Sequence, residues 1–305
     1  MIARNPSPLR YPGGKVSLTE VLQKIIYANG LQGCTYIEPF AGGAGAGLKL
    51  LREGHVDRVI INDADRAVFC FWNSVMKRTD ELIERIHTTP LTMAEWRKQR
   101  EIYRSPGRRS QVEIGFAAFY LNRCNRSGII KNGGPIGGVS QEGEWKLDAR
   151  FNRDNLAARI EDLSTYGDRI TVLREDAADL IRNLGPHVEN VDSCFVYADP
   201  PYYLKGRELY LSHYGDADHQ AFADLMCREA TCPWVITYDD VPRIRELYDE
   251  QQLHSFNLRY SAHRASTNGN EVLIAPAHVT IPEEALAVLG RTEGLREQST
   301  SPRRS

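Results

Sequence analysis

The sequence predicts an α/β fold: a sheet of seven strands alternating with helices, interrupted once by a mainly helical insertion. Three observations predict it. Short apolar runs begin near residues 35, 57, 170, 194, 234, 253 and 271, with the length and composition of buried strands. A glycine-rich turn follows the first run and an acid closes the second. In an open α/β sheet, ligands bind in that place, outside the carboxyl ends of the strands. The third observation is Cys194–Ala198, a wholly apolar run stopped by Asp199-Pro200-Pro201-Tyr202-Tyr203. Proline has no N–H for a sheet ladder and forces the preceding residue out of the helical region. The strand therefore ends near Asp199 and presents a carboxylate, a carbonyl and an aromatic face within four residues. Alone, this could equally be a strand with a capping acid; its setting decides.

Composition bounds the answer. The chain has 305 residues, 42% hydrophobic and 26% charged, ordinary for a soluble protein of one large domain or two. No apolar run approaches membrane-span length and Met1–Pro6 lacks a signal-peptide core, so a cytoplasmic location and no membrane partner are expected. Cysteines 34, 70, 124, 194, 227 and 232 form neither a disulfide framework nor a CxxC pair. The histidines show no H-x-x-x-H pair, so no metal is expected. The net charge of −2 hides an asymmetry: Trp96–Lys131 holds nine Lys/Arg against two Glu. A basic segment on an otherwise acidic chain suits nucleic acid, although a solvated helix face has the same composition.

In chain order, Tyr11-Pro12-Gly13-Gly14-Lys15 is a tight turn, and Ser17-Leu18-Thr19-Glu20 has the capping-box pattern of a helix running to about Gly30. Strand Thr35–Ile37 leads into Glu38-Pro39-Phe40-Ala41-Gly42-Gly43-Ala44-Gly45, then a helix through Arg52. The spacing is not a strict G-x-G-x-x-G and no G-K-[ST] follows, so this is not a phosphate-binding P-loop. Strand Asp57–Ile61 ends at Asn62-Asp63, where an acid is placed to hold ribose hydroxyls or to cap the next helix. Residues 66–165 break the alternation, with helical patterns at Arg66–His87, Met93–Tyr103 and Val112–Cys124. Glycine-rich Asn125–Gly138 and Gly143-Glu144-Trp145-Lys146 then suggest a β-hairpin or an exposed loop. The alternation resumes with strand Ile170–Arg174, Glu175-Asp176 and a helix at Ala177–Leu184. Strands follow at Cys194–Ala198, Trp234–Tyr238, Leu253–Tyr260 and Glu271–Ala275. From Pro282 the chain is polar and reads as a disordered tail.

These residues resemble the Dam-type adenine-specific DNA methyltransferases over about residues 8–276. Tyr11–Lys15 is similar to that family's aromatic-x-GGK segment and Glu38–Gly45 to its glycine motif. Asp199-Pro200-Pro201-Tyr202 is similar to its DPPY motif, and Glu271–Ile274 to its last strand. Tyr120-Leu121-Asn122-Arg123 and Gly143-Glu144-Trp145 fall where its recognition hairpin begins and ends. The order and spacing of these motifs together carry the resemblance. It implies a Rossmann-like fold dependent on S-adenosyl-L-methionine (AdoMet). Residues 1–75 and 165–280 would be the catalytic domain and 76–164 a target-recognition domain with a β-hairpin; 281–305 would be the tail. It implies double-stranded DNA as partner, a monomer or weak dimer, and a possible pairing with a restriction endonuclease.

The resemblance further implies site residues. Tyr11, Lys15, Glu38, Pro39, Phe40, Gly42, Gly45, Asp63, Asp199 and, less securely matched, Asp176 would contact AdoMet. Asp199, Pro200, Pro201 and Tyr202 would carry catalysis. An adenine amine is a poor nucleophile because its lone pair is delocalised into the ring. The Asp199 carboxylate and Pro200 carbonyl would each accept one amine hydrogen and direct the lone pair at the methyl sulfonium. The base must be flipped out, with Tyr202 stacking on it. Arg123, Asn125, Arg126, Lys131 and Trp145 are the DNA-contact candidates. Arg123 and Arg126 could read guanine edges or bind phosphates.

After Asn122-Arg123 the family pattern has an aromatic and a glycine; here stand Cys124-Asn125-Arg126-Ser127-Gly128, so GATC specificity does not transfer. RNA-base and protein-glutamine methyltransferases share the Asp/Asn-Pro-Pro-aromatic chemistry but generally lack so large an insertion. A DNA-binding regulator on an inactive methyltransferase would show a damaged DPPY or glycine loop, and both are intact here.

Overall fold

The computed structural model describes residues 5–10, 15–204, 214–260 and 267–294. Seven strands form one sheet in the order β3-β2-β1-β4-β5-β7-β6. They are β1 (Thr35–Glu38), β2 (Arg58–Asn62), β3 (Ile170–Leu173), β4 (Cys194–Ala198), β5 (Trp234–Asp239), β6 (Gln252–Tyr260) and β7 (Thr267–Ala275). The first five are parallel, whereas β7 runs antiparallel to both β5 and β6. The expected Rossmann-like α/β fold with seven strands is what forms. Strand order reverses between β1 and β4. The glycine-rich turn after β1 and Asp199 after β4 therefore emerge side by side at the switch point, where such sheets open a crevice.

The central strand β4 is buried along its whole length, as a parallel strand covered on both faces must be. Its side chains alternate between two cores. Phe195 and Tyr197 join Tyr36, Leu50, Phe71 and Trp72 on one face; Val196 and Ala198 join Ile37, Phe222, Met226 and Tyr238 on the other. The first face is covered by α1 (Thr19–Ala28), α2 (Gly45–Arg52) and α3 (Arg66–Lys77). The second is covered by α8 (Ala177–Arg182), α9 (Asp216–Arg228) and α10 (Pro242–Leu247).

The interruption consists of α4 (Thr79–Thr88), α5 (Met93–Arg104), α6 (Gln111–Cys124), a loop region, and α7 (Arg153–Ser164). Helix α6 starts at a capping box between Ser110 and Glu113 and is apolar nearly all round, as a helix enclosed by others must be. Phe119 stacks on Phe71 of α3, ring centroids 5.5 Å apart. A Cβ at Gly115 would lie 2.6 Å from the Phe71 nitrogen, so this close helix contact requires glycine. Phe116, Phe119, Tyr120 and Phe151 belong to the same core as Phe71 and Trp72, so the insertion grows directly out of the sheet's packing.

Several expectations are corrected. The helical pattern Arg66–His87 is two helices, broken at Arg78. Ser17 does not cap α1: a 3-10 turn, Lys15–Leu18, leads into it and Leu18 occupies the N-cap position. Among the described residues the recognition hairpin is reduced to one antiparallel bridge, Asn125–Pro135; turns follow, organised by the Gln141 side chain. The chain after Pro282 is not a disordered tail throughout: Glu283–Gly294 is a helix, α11. Its polar composition conceals one apolar stripe, in which Ala285 and Leu289 are buried in the core that α1 shares. Among the described residues no helix is long and apolar enough to cross a membrane.

Candidate active site

The crevice at the carboxyl ends of β1, β2, β4 and β5 gathers most of the expected site. On its glycine side, the Gly42 N–H donates to Asp63 Oδ2 at 2.9 Å, and Trp72 Nε1 donates to the Gly42 carbonyl at 2.8 Å. Gly42 adopts φ +46°, a left-handed conformation that suits glycine. The Pro39 carbonyl accepts from Asn62 Nδ2 at 2.9 Å, and Glu38 Oε1 accepts from Gly47 N at 2.9 Å in the first turn of α2. The loop is thus held by β2 and α3 at several backbone atoms. Burial pushes the Glu38 carboxyl up to about 8. Burial and the neighbouring Asp65 push Asp63 up to about 7. Asp65, not Asp63, caps α3, accepting from Ala67 N and Val68 N.

A Cβ on Gly45 would sit 2.5 Å from Val16 Cγ2, so glycine there lets the Lys15–Val16 turn lie against the loop. Phe40 meets Tyr214 and Phe222 edge-on, at 5.9 and 5.4 Å. Asp176 is exposed at the end of β3 and caps α8 through Ala178 N at 2.8 Å and Asp179 N at 3.3 Å. Tyr11 lies outside the described residues.

On the other side, Asp199 is held by a chain of hydroxyls. Thr237 Oγ1 donates to Asp199 Oδ1 at 2.8 Å, and Tyr197 OH lies 2.8 Å from Thr237 Oγ1. With the threonine proton spent on Asp199, Tyr197 is the donor in that second bond. Lys15 Nζ is 2.7 Å from Glu271 Oε2 and 3.4 Å from Asp199 Oδ1, and it also donates to the Tyr202 hydroxyl. Tyr202 OH in turn donates to Glu271 Oε1 at 2.6 Å. Burial raises the pKa of Asp199, with Lys15 and Thr237 opposing, and burial likewise raises that of Glu271. Past Pro200 and Pro201, the N–H groups of Tyr203 and Leu204 donate to the two carboxylate oxygens of Asp239, each at 2.9 Å. A rigid diproline segment is thus clamped by β5 and β7.

Thr237, Asp239, Glu271, Tyr197, Trp72 and Asn62 are site residues the sequence reading missed. A signal existed for two of them: Asp239 ends an expected strand and Glu271 begins another, and the antiparallel register pairs them.

The DNA-contact candidates separate. Asn125 is fully buried, accepting from Trp96 Nε1 at 2.7 Å and donating to the Ile129 carbonyl at 2.7 Å. That removes it from any DNA surface. Arg123 is half-buried, donating to the carbonyls of Arg150 and Pro8 at 2.8 and 3.3 Å. Burial, with Arg10 and Arg159 nearby, pulls its pKa down to about 9. Arg123, through Pro8, ties the insertion to the N-terminal segment, whereas the Asn125 side chain ties two parts of the insertion together. Arg126 and Trp145 are exposed, and Arg150 lies over the Trp145 ring at 5.8 Å. Lys131 is half-buried in the same loop region.

The model of the D12 class N6 adenine-specific DNA methyltransferase family matches residues 11–262, which spans the crevice and the insertion. No curated protein matches the chain. Among solved structures, two of the rRNA methyltransferase aviRa from Streptomyces viridochromogenes are similar, at 15% and 16% identity with TM-scores of 0.34 and 0.36. Each alignment covers 90% of this chain and 86% of that one.

Proposed function

The chain belongs to the D12 class N6 adenine-specific DNA methyltransferase family, and we propose that it transfers the methyl group of AdoMet to the 6-amino group of an adenine flipped out of duplex DNA. The observation that carries this reading is Asp199 fixed at the switch point beside the Gly42–Asp63 loop, with Tyr202 next to it.

The crevice suits AdoMet by its donor set. Asp63 closes β2 where ribose hydroxyls would need an acceptor, and each of its oxygens keeps a lone pair beyond those given to Gly42 N and Asp65 N. With Asp199 and Glu271 ionised, they and Lys15 carry one net negative charge, complementary to a sulfonium. Bound there, AdoMet would supply an electrophilic methyl group.

The chain's own residues supply position and electrostatics. Asp199 accepts one hydrogen of the adenine amine, and the Pro200 carbonyl, in rigid extended backbone, accepts the other. Both bonds favour a pyramidal nitrogen with its lone pair free. Thr237 and Tyr197 fix the carboxylate rotamer. Once the methyl is transferred, the amine nitrogen carries a positive charge and loses one proton, for which the half-buried Asp199 carboxylate, its pKa raised, is the nearest base. Holding the reactants in this geometry lowers a barrier by roughly 7–11 kcal/mol in well-oriented systems. Arg126 and Trp145 present a cation and an aromatic face to the duplex. Arg123 and Asn125 hold the surface behind them.

The test is methyl transfer from labelled AdoMet to unmethylated duplex DNA, with Asp199→Ala alongside. A loss of about 10²–10⁴-fold is expected. Near-normal transfer by the variant, or transfer to RNA in place of DNA, would overturn the reading. Methylation mapping in a methylation-free host then identifies the target sequence.

A further inference from the structure

Glu271 is 1% exposed, deep in the sheet, yet among the described residues its carboxylate bonds to side chains of the site and not to a strand neighbour's backbone. Its oxygens are divided between two groups of the site: Oε2 to Lys15 Nζ at 2.7 Å and Oε1 to Tyr202 OH at 2.6 Å. A buried carboxylate on an inner strand is costly unless its charge is compensated. Ion pairing to Lys15 meets that cost, but a purely structural pair would need nothing from Tyr202. Among the described residues Lys15 is also the cation nearest Asp199, at 3.4 Å, and its ammonium lies 5.1 Å from the Tyr202 ring centroid.

From this geometry we infer that Glu271 is a positioning residue for the methyl transfer: it draws Lys15 away from a full ion pair with Asp199 and tethers the Tyr202 ring by its hydroxyl. The inference rests on the reading of Asp199 as the amine acceptor. Two consequences follow from one side chain. An ammonium in direct contact with Asp199 would occupy the lone pairs that must take the adenine hydrogen. At 3.4 Å, with Glu271 the nearer partner, it still favours the ionised form and leaves a face of the carboxylate open. Tyr202, held at its far end, has its ring rotation fixed before a base arrives, which removes an ordering cost from the stacked complex.

Glu271 stands at the start of the buried part of β7, directly opposite Asp239 of β5 and Phe256 of β6. Among the described residues, the charged or titratable groups around the cluster are Lys15 from the first turn, Asp199, Tyr197 and Tyr202 from β4 and its loop, Asp239 from β5, and Glu38 from β1. Lys15 is the cation among them. Replacing Glu271 by a neutral group therefore releases Lys15 to Asp199 and removes a like charge, and both effects lower the Asp199 pKa.

The experiment is steady-state methyl transfer by wild type, Glu271→Gln, Tyr202→Phe and the double variant, from about pH 5.5 to 9.5. For Glu271→Gln, kcat should fall about 10–100-fold, a larger change than the rise in KM for AdoMet and DNA that follows from the lost charge and the lost tether. Its acidic limb should move to lower pH, and its loss should be non-additive with that of Tyr202→Phe. A wild-type kcat, an additive cycle, or a loss explained by unfolded protein with the pH limb unmoved would overturn the inference. If Glu271→Gln does not fold, Glu271→Asp serves: it keeps the charge but withdraws the carboxylate, so kcat should fall while the acidic limb stays, and a wild-type kcat overturns. Inactive Asp199→Ala beside normal Glu271 variants sinks this inference alone; active Asp199→Ala sinks the reading beneath it.

Discussion

Thr237 Oγ1 donates to Asp199 Oδ1 at 2.8 Å, binding the carboxylate that ends β4 to the adjacent strand β5. Threonine suits the position because its branched carbon fills a buried strand while its hydroxyl has one proton to give. Thr237→Val keeps the shape and loses the bond. We expect kcat to fall by about 10-fold, KM values to hold, and Thr237→Ser to restore most of the rate. Rapid-quench single-turnover kinetics checks this, since the chemical step alone should slow.

The carboxyls of Glu38 and Asp63, pushed up to about 8 and about 7, hold protons in the fold that the unfolded chain has already released. Where the folded state binds more protons, stability falls as pH rises. The free protein should therefore lose stability as pH rises toward those values, at up to about 1.4 kcal/mol per pH unit for each group. Glu38→Gln keeps an acceptor for Gly47 N and removes the titration, so it should flatten the decline below about pH 8. Urea unfolding across that range gives the slope, and an unchanged slope contradicts the assignment.

Arg126 and Asn125 are neighbours with opposite placements, one exposed and one fully buried. Arg126→Ala should weaken DNA binding while leaving stability within about 0.5 kcal/mol. Its salt dependence reports the role: if Arg126 meets a phosphate, the log–log slope falls by about 0.9. Asn125→Ala leaves the Trp96 N–H and the Ile129 carbonyl unpaired and should cost about 1–3 kcal/mol of stability per group. Fluorescence anisotropy and thermal unfolding on the same samples separate the two outcomes.

Leu289 is 3% exposed on α11, which covers α1 and β6. Leu289→Ala should destabilise the whole protein by about 2–5 kcal/mol, as core truncations do. A change within about 0.5 kcal/mol, the range of ordinary surface substitutions, would mean the helix is peripheral. Calorimetry on the full chain decides.

Much of this molecule was legible in the sequence because the signals were local. Seven apolar runs foretold seven strands. A diproline stop foretold where β4 ends, and Cys194–Ala198 matched residue for residue. Glycines at 42 and 45 and the acid at 63 marked the crevice. Other features were decided only by tertiary structure, because they depend on partners distant in sequence. Asn125 read as a surface contact until it bonded the buried Trp96, and Arg123 until the carbonyls of Pro8 and Arg150 accepted its hydrogen bonds. The polar stretch after Pro282 became a helix because one stripe of it found the core beside α1. Glu271 lies 256 residues from Lys15 and 69 from Tyr202. No periodicity or spacing could announce their meeting. The reversal of strand order and the antiparallel return of β7 bring a buried acid under the carboxylate that the sequence had already marked.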